Sequence, residues 1–283
     1  MSDATLLLID FSHLFSRMFH VTYDPLATNQ YERPALWNMM LHSLGNIYSQ
    51  FRPDRMVIAL DSQPYWRTDI FPHYKANRVR KHDPEVFYCL KKEISEGLED
   101  AMPNFLWIKV PKTEGDDIIA TLAKSLKYNN IIIHGCDGDY AQLDTIPAVK
   151  RYNPIKKQFV EKMADPSKEL QIKIICGDVS DGIPGLKKGL GPKTALKLIN
   201  DGKLEELLDK EPEMRKIYTL NSQLIDFNFI PGEIKTAILN EYEKREKSLA
   251  SECNMQALGK FIAKTDLDES YMYSIAAKLN GDV

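Results

Sequence analysis

Short apolar runs alternate with amphipathic stretches through the first half of the chain. TLLLI, RMVIAL, FLWIKV and NIIIHG are brief and rich in β-branched side chains, which predicts buried strands. Between them PALWNMMLHSLGNIYSQF, VFYCLKKEISEGLEDAM and GDDIIATLAKSLKY carry apolar residues at helical spacing, and Pro34 suits a first helical turn. Strands that alternate with helices predict an α/β domain built on a mostly parallel sheet covered on both faces. VKRYNPIKKQFVEK predicts a hairpin around Asn153-Pro154 at a sheet edge. From Asp165 onward the spacing is helical to the end, punctuated by Gly185, Gly189 and Gly191. The pattern divides the chain into an α/β domain over residues 1–164 and a smaller all-helical domain over residues 165–283.

Composition narrows the class. With 283 residues and 43% hydrophobic content, the chain can bury a full core. It has no apolar run of eighteen or more, and MSDATLLLIDF has no basic region before its apolar run, so a soluble cytoplasmic protein without membrane contact is expected. Cys89, Cys136, Cys176 and Cys253 lie far apart with no CxxC pair, which signals neither a zinc site nor a disulfide framework. The net charge of −3 gives no whole-molecule attraction to nucleic acid, so such binding must come from local patches. Two exist. RTDIFPHYKANRVRK holds Arg67, Lys75, Arg78, Arg80 and Lys81, interleaved with Phe71 and Tyr74. LKKGLGPKTALKL holds Lys187, Lys188, Lys193 and Lys197 and no acid. A solvated charged face explains either patch equally well.

The strand ends share a feature that the rest of the pattern does not require. LLLID ends in Asp10, MVIALD in Asp61, and NIIIHGCDGD in Asp137 and Asp139; FLWIKV is followed by TEGDD, with Glu114, Asp116 and Asp117 at a helix start. Each acid has a local explanation as a helix cap or a dipole partner. In a parallel sheet, however, these ends line one edge, where ligands bind. ICGDVSDGIPG adds Asp178 and Asp181, three apart and able to face one way on a helical turn. Two like charges at about 4 Å repel by roughly 4 kcal/mol at an effective dielectric near 20, so the cluster needs cations or large pKa shifts. Hard oxygen ligands suit Mg²⁺, and two ions roughly 3.5–4 Å apart can activate water and stabilise a leaving oxygen.

The order LLLIDFSHLF, VIALDS, HYKANR, TEGDDIIA, GCDGDYAQL and CGDVSDGIPGLKKGLGPKTALKLI resembles the 5′-nuclease or flap endonuclease superfamily, and within it the ribonuclease H branch of phages. The resemblance implies a PIN-like α/β domain, a helical arch or gateway over the site at about residues 72–100, and a helix-hairpin-helix-type element in the C-terminal part. It implies a first metal group of Asp10, Asp61, Asp116 and Asp137 with Glu114 beside it, and a second group of Asp139, Asp178 and Asp181. Lys75 and Arg78 fall at the gateway near the attacked phosphate, and Asp116 and Asp137 carry the reaction with them. Tyr74 is either a base-stacking residue or a core tyrosine. Tyr74, Lys75, Arg78, Arg80 and Lys81 would meet the 5′ strand; Lys187, Lys188, Gly189, Gly191, Lys193 and Thr194 would meet duplex phosphates.

The implied activity is 5′→3′ exonuclease and flap cleavage with two Mg²⁺ ions, for which Mn²⁺ substitutes. The implied substrates are branched or nicked duplex DNA and RNA/DNA hybrids. A monomer that works beside a sliding clamp and a single-strand-binding protein is expected. Two departures stand out: Gly115 replaces the usual Ala of an EADD-like motif, and Gly182 stands where Asn is frequent. Two other readings remain open, an Asp-dependent phosphotransferase and a DNA-junction binder with a non-catalytic acidic pocket.

Overall fold

The computed structural model describes residues 4–24, 26, 34–78, 82–265, 267–268 and 270–281. In chain order, β1 (Thr5–Asp10), α1 (Phe11–Thr22), α2 (Pro34–Phe51), β2 (Arg55–Leu60), α3 (Trp66–Ile70), α4 (Pro84–Ala101), β3 (Leu106–Lys109), α5 (Gly115–Ser125) and β4 (Asn130–His134) make the first half. The hairpin β5 (Val149–Asn153) and β6 (Gln158–Phe159) follows. Then come α6 (Pro166–Cys176), α7 (Pro192–Asn200), α8 (Leu204–Lys210), α9 (Pro212–Ile225), α10 (Gly232–Lys247), α11 (Met255–Ile262) and α12 (Ser270–Asn280).

The sheet order is β3-β2-β1-β4-β5-β6, parallel throughout except for β6 at the edge. Successive side chains of a strand point to opposite faces, and both faces are apolar here. Leu7, Ile9, Met56 and Ile58 join a core with α1, α2 and α4. Leu6, Leu8, Val57 and Ala59 join a core with α5. This burial on both faces requires the continuous apolar runs seen in the sequence. Helix α1, which the sequence reading did not single out, buries Phe11, Leu14, Phe15, Met18 and Phe19 along one helical stripe.

The second half departs from the expected division. Helices α6 to α9 build one core of their own, around Ile175, Leu186, Ala195 and Leu208, and share a second, around Ile174, Ile183 and Leu224, with Tyr74 of the gateway. Phe227, Ile230, Ile234 and Ile238 instead pack on the sheet face that carries α5. Leu258, Phe261, Ile275 and Leu279 pack into the opposite face. An amphipathic stripe shows that one face is buried, not what buries it, so the helices after α9, expected in a separate domain, pack on the two faces of the sheet.

Candidate active site

The parallel strands deliver their acids to one edge, where Asp10 and Asp137 cap the turns that follow them and Asp61 is held by donors from distant segments. Asp10 caps α1 through Oδ1, which accepts from His13 N at 2.9 Å, while its Oδ2 accepts from the Tyr140 hydroxyl at 3.0 Å. Asp61 accepts from Gly115 N at 2.8 Å through Oδ1, and its Oδ2 faces Ser12 Oγ and, at 2.9 Å, Lys91 Nζ. Asp137 caps the 3₁₀ turn Gly138–Thr145, accepting from Asp139 N at 2.8 Å. Capping and convergence therefore coexist, because a cap uses one oxygen and leaves the carboxylate at the edge. A Cβ on Gly115 would sit 3.4 Å from Asp61 Oδ1 and 3.5 Å from Asp10 Oδ1, ordinary contacts that an alanine could make.

Oxygens of Glu114, Asp116 and Asp117 lie within 4.8 Å of one another, yet their partners differ. Asp117 is fully buried; it closes the α5 capping box on Glu114 N, accepts from Trp66 Nε1 at 3.0 Å and pairs with Arg67 Nη2 at 2.9 Å. Glu114 takes Arg67 Nη1 and the Tyr74 hydroxyl, both at 2.9 Å, on Oε2 and Lys75 Nζ on Oε1. Both of its oxygens, expected at the first metal group, are thus engaged by protein donors. Asp116 keeps a buried Oδ1 with no hydrogen-bond partner among the described residues and, unlike Asp117 Oδ1, which faces Arg67 Nη2, no ion-pair partner there either. Burial, then Glu114 and Asp117, push its pKa well above the carboxylate range. Burial and Asp61 likewise raise Asp10. For Asp61 burial is outweighed by Lys91 and Ser12, and its pKa is lowered. An orphaned oxygen amid an all-carboxylate set fits a hard divalent cation, with Asp10, Asp61 and Asp116 as holders and exposed Asp137 at the rim.

The second group splits. Asp139 and Asp178 share Lys173 Nζ, which is 2.8 Å from Asp178 Oδ2. Burial would raise Asp178, but Lys173 and Ser180 bring it down to about 2, whereas Asp139 stays raised by burial despite Lys173. Asp181 turns the other way, to Arg78 Nη2, to the Tyr74 hydroxyl at 3.2 Å and to Lys75 Nζ at 3.8 Å. The pair does not share a helix face: α6 stops at Gly177, φ +74°, where a Cβ would run into the Ile183 carbonyl, and Asp178 caps the short 3₁₀ turn Val179–Asp181. Gly182, φ +72°, lets that turn meet the gateway, for its Cβ would lie 3.2 Å from Asn77 Oδ1.

The gateway readings need three corrections. Residues 72–77 are successive turns, not a helix, with Lys75 at φ +59° and its amide donating to Asp181 O at 2.8 Å. Tyr74 is 6% exposed, so it holds Glu114 and Asp181 and cannot stack on a base. Arg67, counted in the basic patch, is 2% exposed and serves Glu114 and Asp117. Arg78 remains half exposed; Arg80 and Lys81 lie outside the described residues. Lys187, Lys188, Gly189, Lys193 and Thr194 are exposed around the N-terminus of α7, where Gly191 is the cap and nothing lies within 4 Å of a Cβ at Gly189 or Gly191. Lys91 and Lys173 were missed by sequence reasoning. Each stands in an ordinary amphipathic helix, and only the fold shows that it reaches an acid 30 or more positions away.

Residues 5–171 match the family described as 5′–3′ exonuclease, N-terminal resolvase-like domain. The chain is 30% identical over 213 residues to ribonuclease H of Enterobacteria phage T4, covering 66% of this chain and 69% of that protein. It is also 30% identical over 213 residues to a 5′–3′ exonuclease of Mycoplasmopsis pulmonis, covering 72% and 69%. Its fold matches that of a bacteriophage T5 flap endonuclease solved as a pseudo-enzyme–product complex with DNA and metal ions, with a TM-score of 0.67, 16% identity, and coverage of 87% and 99%. With strand-end acids gathered at one edge and a family match over more than half its length, the chain belongs to the 5′–3′ exonuclease family.

Proposed function

We propose that this chain is a structure-specific, Mg²⁺-dependent 5′-nuclease that removes 5′ flaps or RNA primers from branched and nicked duplexes. The observation that carries the reading is the buried Oδ1 of Asp116, without a hydrogen-bond partner among the described residues, on the helix turn whose Gly115 lies against Asp10 and Asp61. When bound there, Mg²⁺ supplies charge for phosphodiester oxygens and lowers the pKa of a coordinated water. Asp10, Asp61 and Asp116 would hold it, and Asp137 would complete the set at the rim. Arg67, Trp66 and Asp117 fix the first turn of α5, so that Asp116 is aimed before substrate arrives. Lys75 and Arg78, now on Glu114 and Asp181, are placed to transfer their donors to an entering phosphate, Arg by two oxygens and Lys as a point charge.

The α7 turn would grip duplex phosphates through exposed amides and lysines, which fix position and carry no sequence information. Helices α6–α9 would be the DNA-binding unit, working beside a sliding clamp and a single-strand-binding protein. Asp10 has hydrogen bonds on both oxygens, which disfavours its use as a phosphoryl-accepting nucleophile. The test is product-length analysis on 5′-flap, nicked and RNA-primed duplexes with and without Mg²⁺. Short 5′-phosphorylated products that require the ion are expected; intact substrate under all conditions would refute the activity.

A further inference from the structure

The C-terminal end of α9 makes hydrogen bonds with three segments that carry acids. Asn221, one turn before that end, is fully buried. Its Nδ2 donates to Ile174 O at 2.9 Å and to Pro184 O at 2.7 Å. Its Oδ1 is also buried, with no hydrogen-bond partner among the described residues. A buried oxygen left unpaired costs stability, and the neighbouring core of Ile174, Ile183 and Leu224 would suit an apolar side chain. The two carbonyls explain the asparagine. They call for two donors, which an amide nitrogen has and neither Leu nor an ionised Asp can offer.

Those carbonyls flank a loop that holds two acids. At the end of α6, Gly177 N donates to Lys173 O and Leu186 N to Ile175 O, and Asn221 supplies the donor for the carbonyl between them. Beyond it, Asp178 and Ile183 exchange backbone hydrogen bonds of 2.9 and 2.8 Å, which closes residues 178–183 into a loop that carries Asp178 and Asp181. One side chain thus pins the chain both before the loop and after it. The rest of the helix end holds other acids. Leu224 O accepts from Arg67 Nε at 2.9 Å, and Arg67 pairs with Glu114 and Asp117. Ile225 O accepts from Gln142 Nε2 at 3.0 Å, and Phe227 N donates to Gln142 Oε1 at 3.1 Å, which fixes the 3₁₀ turn that carries Asp139.

We infer that the end of α9 positions the second acid group through Asn221 and Gln142: Asn221 holds both stalks of the 178–183 loop, Gln142 holds the turn of Asp139, and the shared helix end sets Asp178 and Asp181 against Asp139. The inference rests on the 5′-nuclease reading only in that these acids serve an ion. Asn221, being buried, meets no substrate and acts through the two carbonyls.

The test uses the full chain. In amide hydrogen exchange without Mg²⁺ or DNA, Asn221→Ala should speed the amides of Asp178, Ile183 and Leu186 by roughly 10-fold or more and leave β1 and β2 unchanged. In single-turnover cleavage of a 5′-flap duplex, the same variant should need roughly 10-fold more Mg²⁺ for half-maximal rate, the scale for losing an outer partner of metal ligands, and regain rate at high Mg²⁺. A merely structural residue would lower the folded fraction without moving that midpoint. Calorimetry of Mg²⁺ binding without DNA reads the same shift independently of turnover, so a wild type that cuts nothing would count against the nuclease reading while calorimetry still decides the inference. Loop amides that stay slow, a rise spread equally over the sheet, or an unchanged Mg²⁺ midpoint and affinity would each overturn it. Should Asn221→Ala not fold, Gln142→Met removes both bonds at similar length on a partly exposed residue. It should speed the amide of Asp139 and weaken Mg²⁺ by a similar factor, and wild-type behaviour in that variant would refute the shared anchor.

Discussion

Among the described residues, Asp10, Asp61 and Asp116 have one ion pair between them, Lys91 on Asp61, whereas Asp139 and Asp178 share Lys173 and Asp181 meets both Lys75 and Arg78. The two ends of the acid edge thus solve the same electrostatic problem differently. At the β1–β2 end, burial raises Asp10 and Asp116 while Lys91 lowers Asp61; at the α6 end Lys173 brings Asp178 down to about 2 while burial keeps Asp139 raised. A carboxylate buried without a partner destabilises the unliganded fold and recovers that energy only on binding a cation. A carboxylate already paired with lysine can exchange that partner for a metal-bound water or a phosphate. On the proposed reading, the first end would hold an ion tightly and the second would adjust as substrate arrives.

Several measurements break or sharpen this contrast. Asp116→Asn should reduce single-turnover flap cleavage by at least roughly 10³-fold, the upper scale for losing one electrostatic stabiliser in an active site. Asp178→Asn should lose only about 10- to 100-fold, as outer partners of metal ligands do. Equal losses would erase the distinction between the ends. Arg67→Met tests the scaffold, since it leaves Glu114 and Asp117 buried without their guanidinium. Urea unfolding should show a loss of about 3–5 kcal/mol, the range for breaking a buried ion pair by removing one partner.

His134 ends β4, buried and stacked on Tyr152, and burial followed by Arg17 brings its pKa down to about 4. Its usual value is near 6.5. Between those values the unfolded chain binds a proton that the folded chain refuses, so its contribution is lost as pH falls from about 6.5 to about 4 and is complete above that window. The loss amounts to about 3 kcal/mol. Comparing the stability of wild type and His134→Phe across this range isolates it, and the two should converge in slope above pH 6.5. Lys173→Met is the smallest effect: with its competitor gone from Asp139 and Asp178, the second end should bind a divalent ion several-fold more tightly, about 1 kcal/mol, in calorimetry without DNA. Weaker or unchanged binding would show that Lys173 does not compete there.

Much of the fold and the acid edge was legible, because a short continuous apolar run closed by Asp is a local signal that recurs at Asp10 and Asp61 and, three residues beyond β4, at Asp137. The stripe of Phe11, Leu14, Phe15, Met18 and Phe19 has helical spacing but was not singled out in the sequence. What stayed hidden were relations between distant segments. Arg67 and Arg78 read alike in one basic run, yet Arg67 is buried against α5 while Arg78 is half exposed. Tyr74 carried no mark of whether its ring would meet a base or Glu114. Asp116 and Asp117 are chain neighbours of the same chemistry, and only tertiary packing gives Trp66 and Arg67 to Asp117 and leaves Asp116 for the site. The positive φ of Lys75 sets a turn where the resemblance implied a helical arch.

The most direct test of the central claim is the melting of wild type and Asp116→Asn at neutral pH, each with and without Mg²⁺ and without DNA. Without the ion the variant should melt higher, since an uncompensated buried charge has been removed. Adding Mg²⁺ should raise the wild type and leave the variant nearly where it was. A variant that melts lower without the ion, and gains as much from Mg²⁺ as the wild type, would contradict the assignment of this carboxylate to a metal.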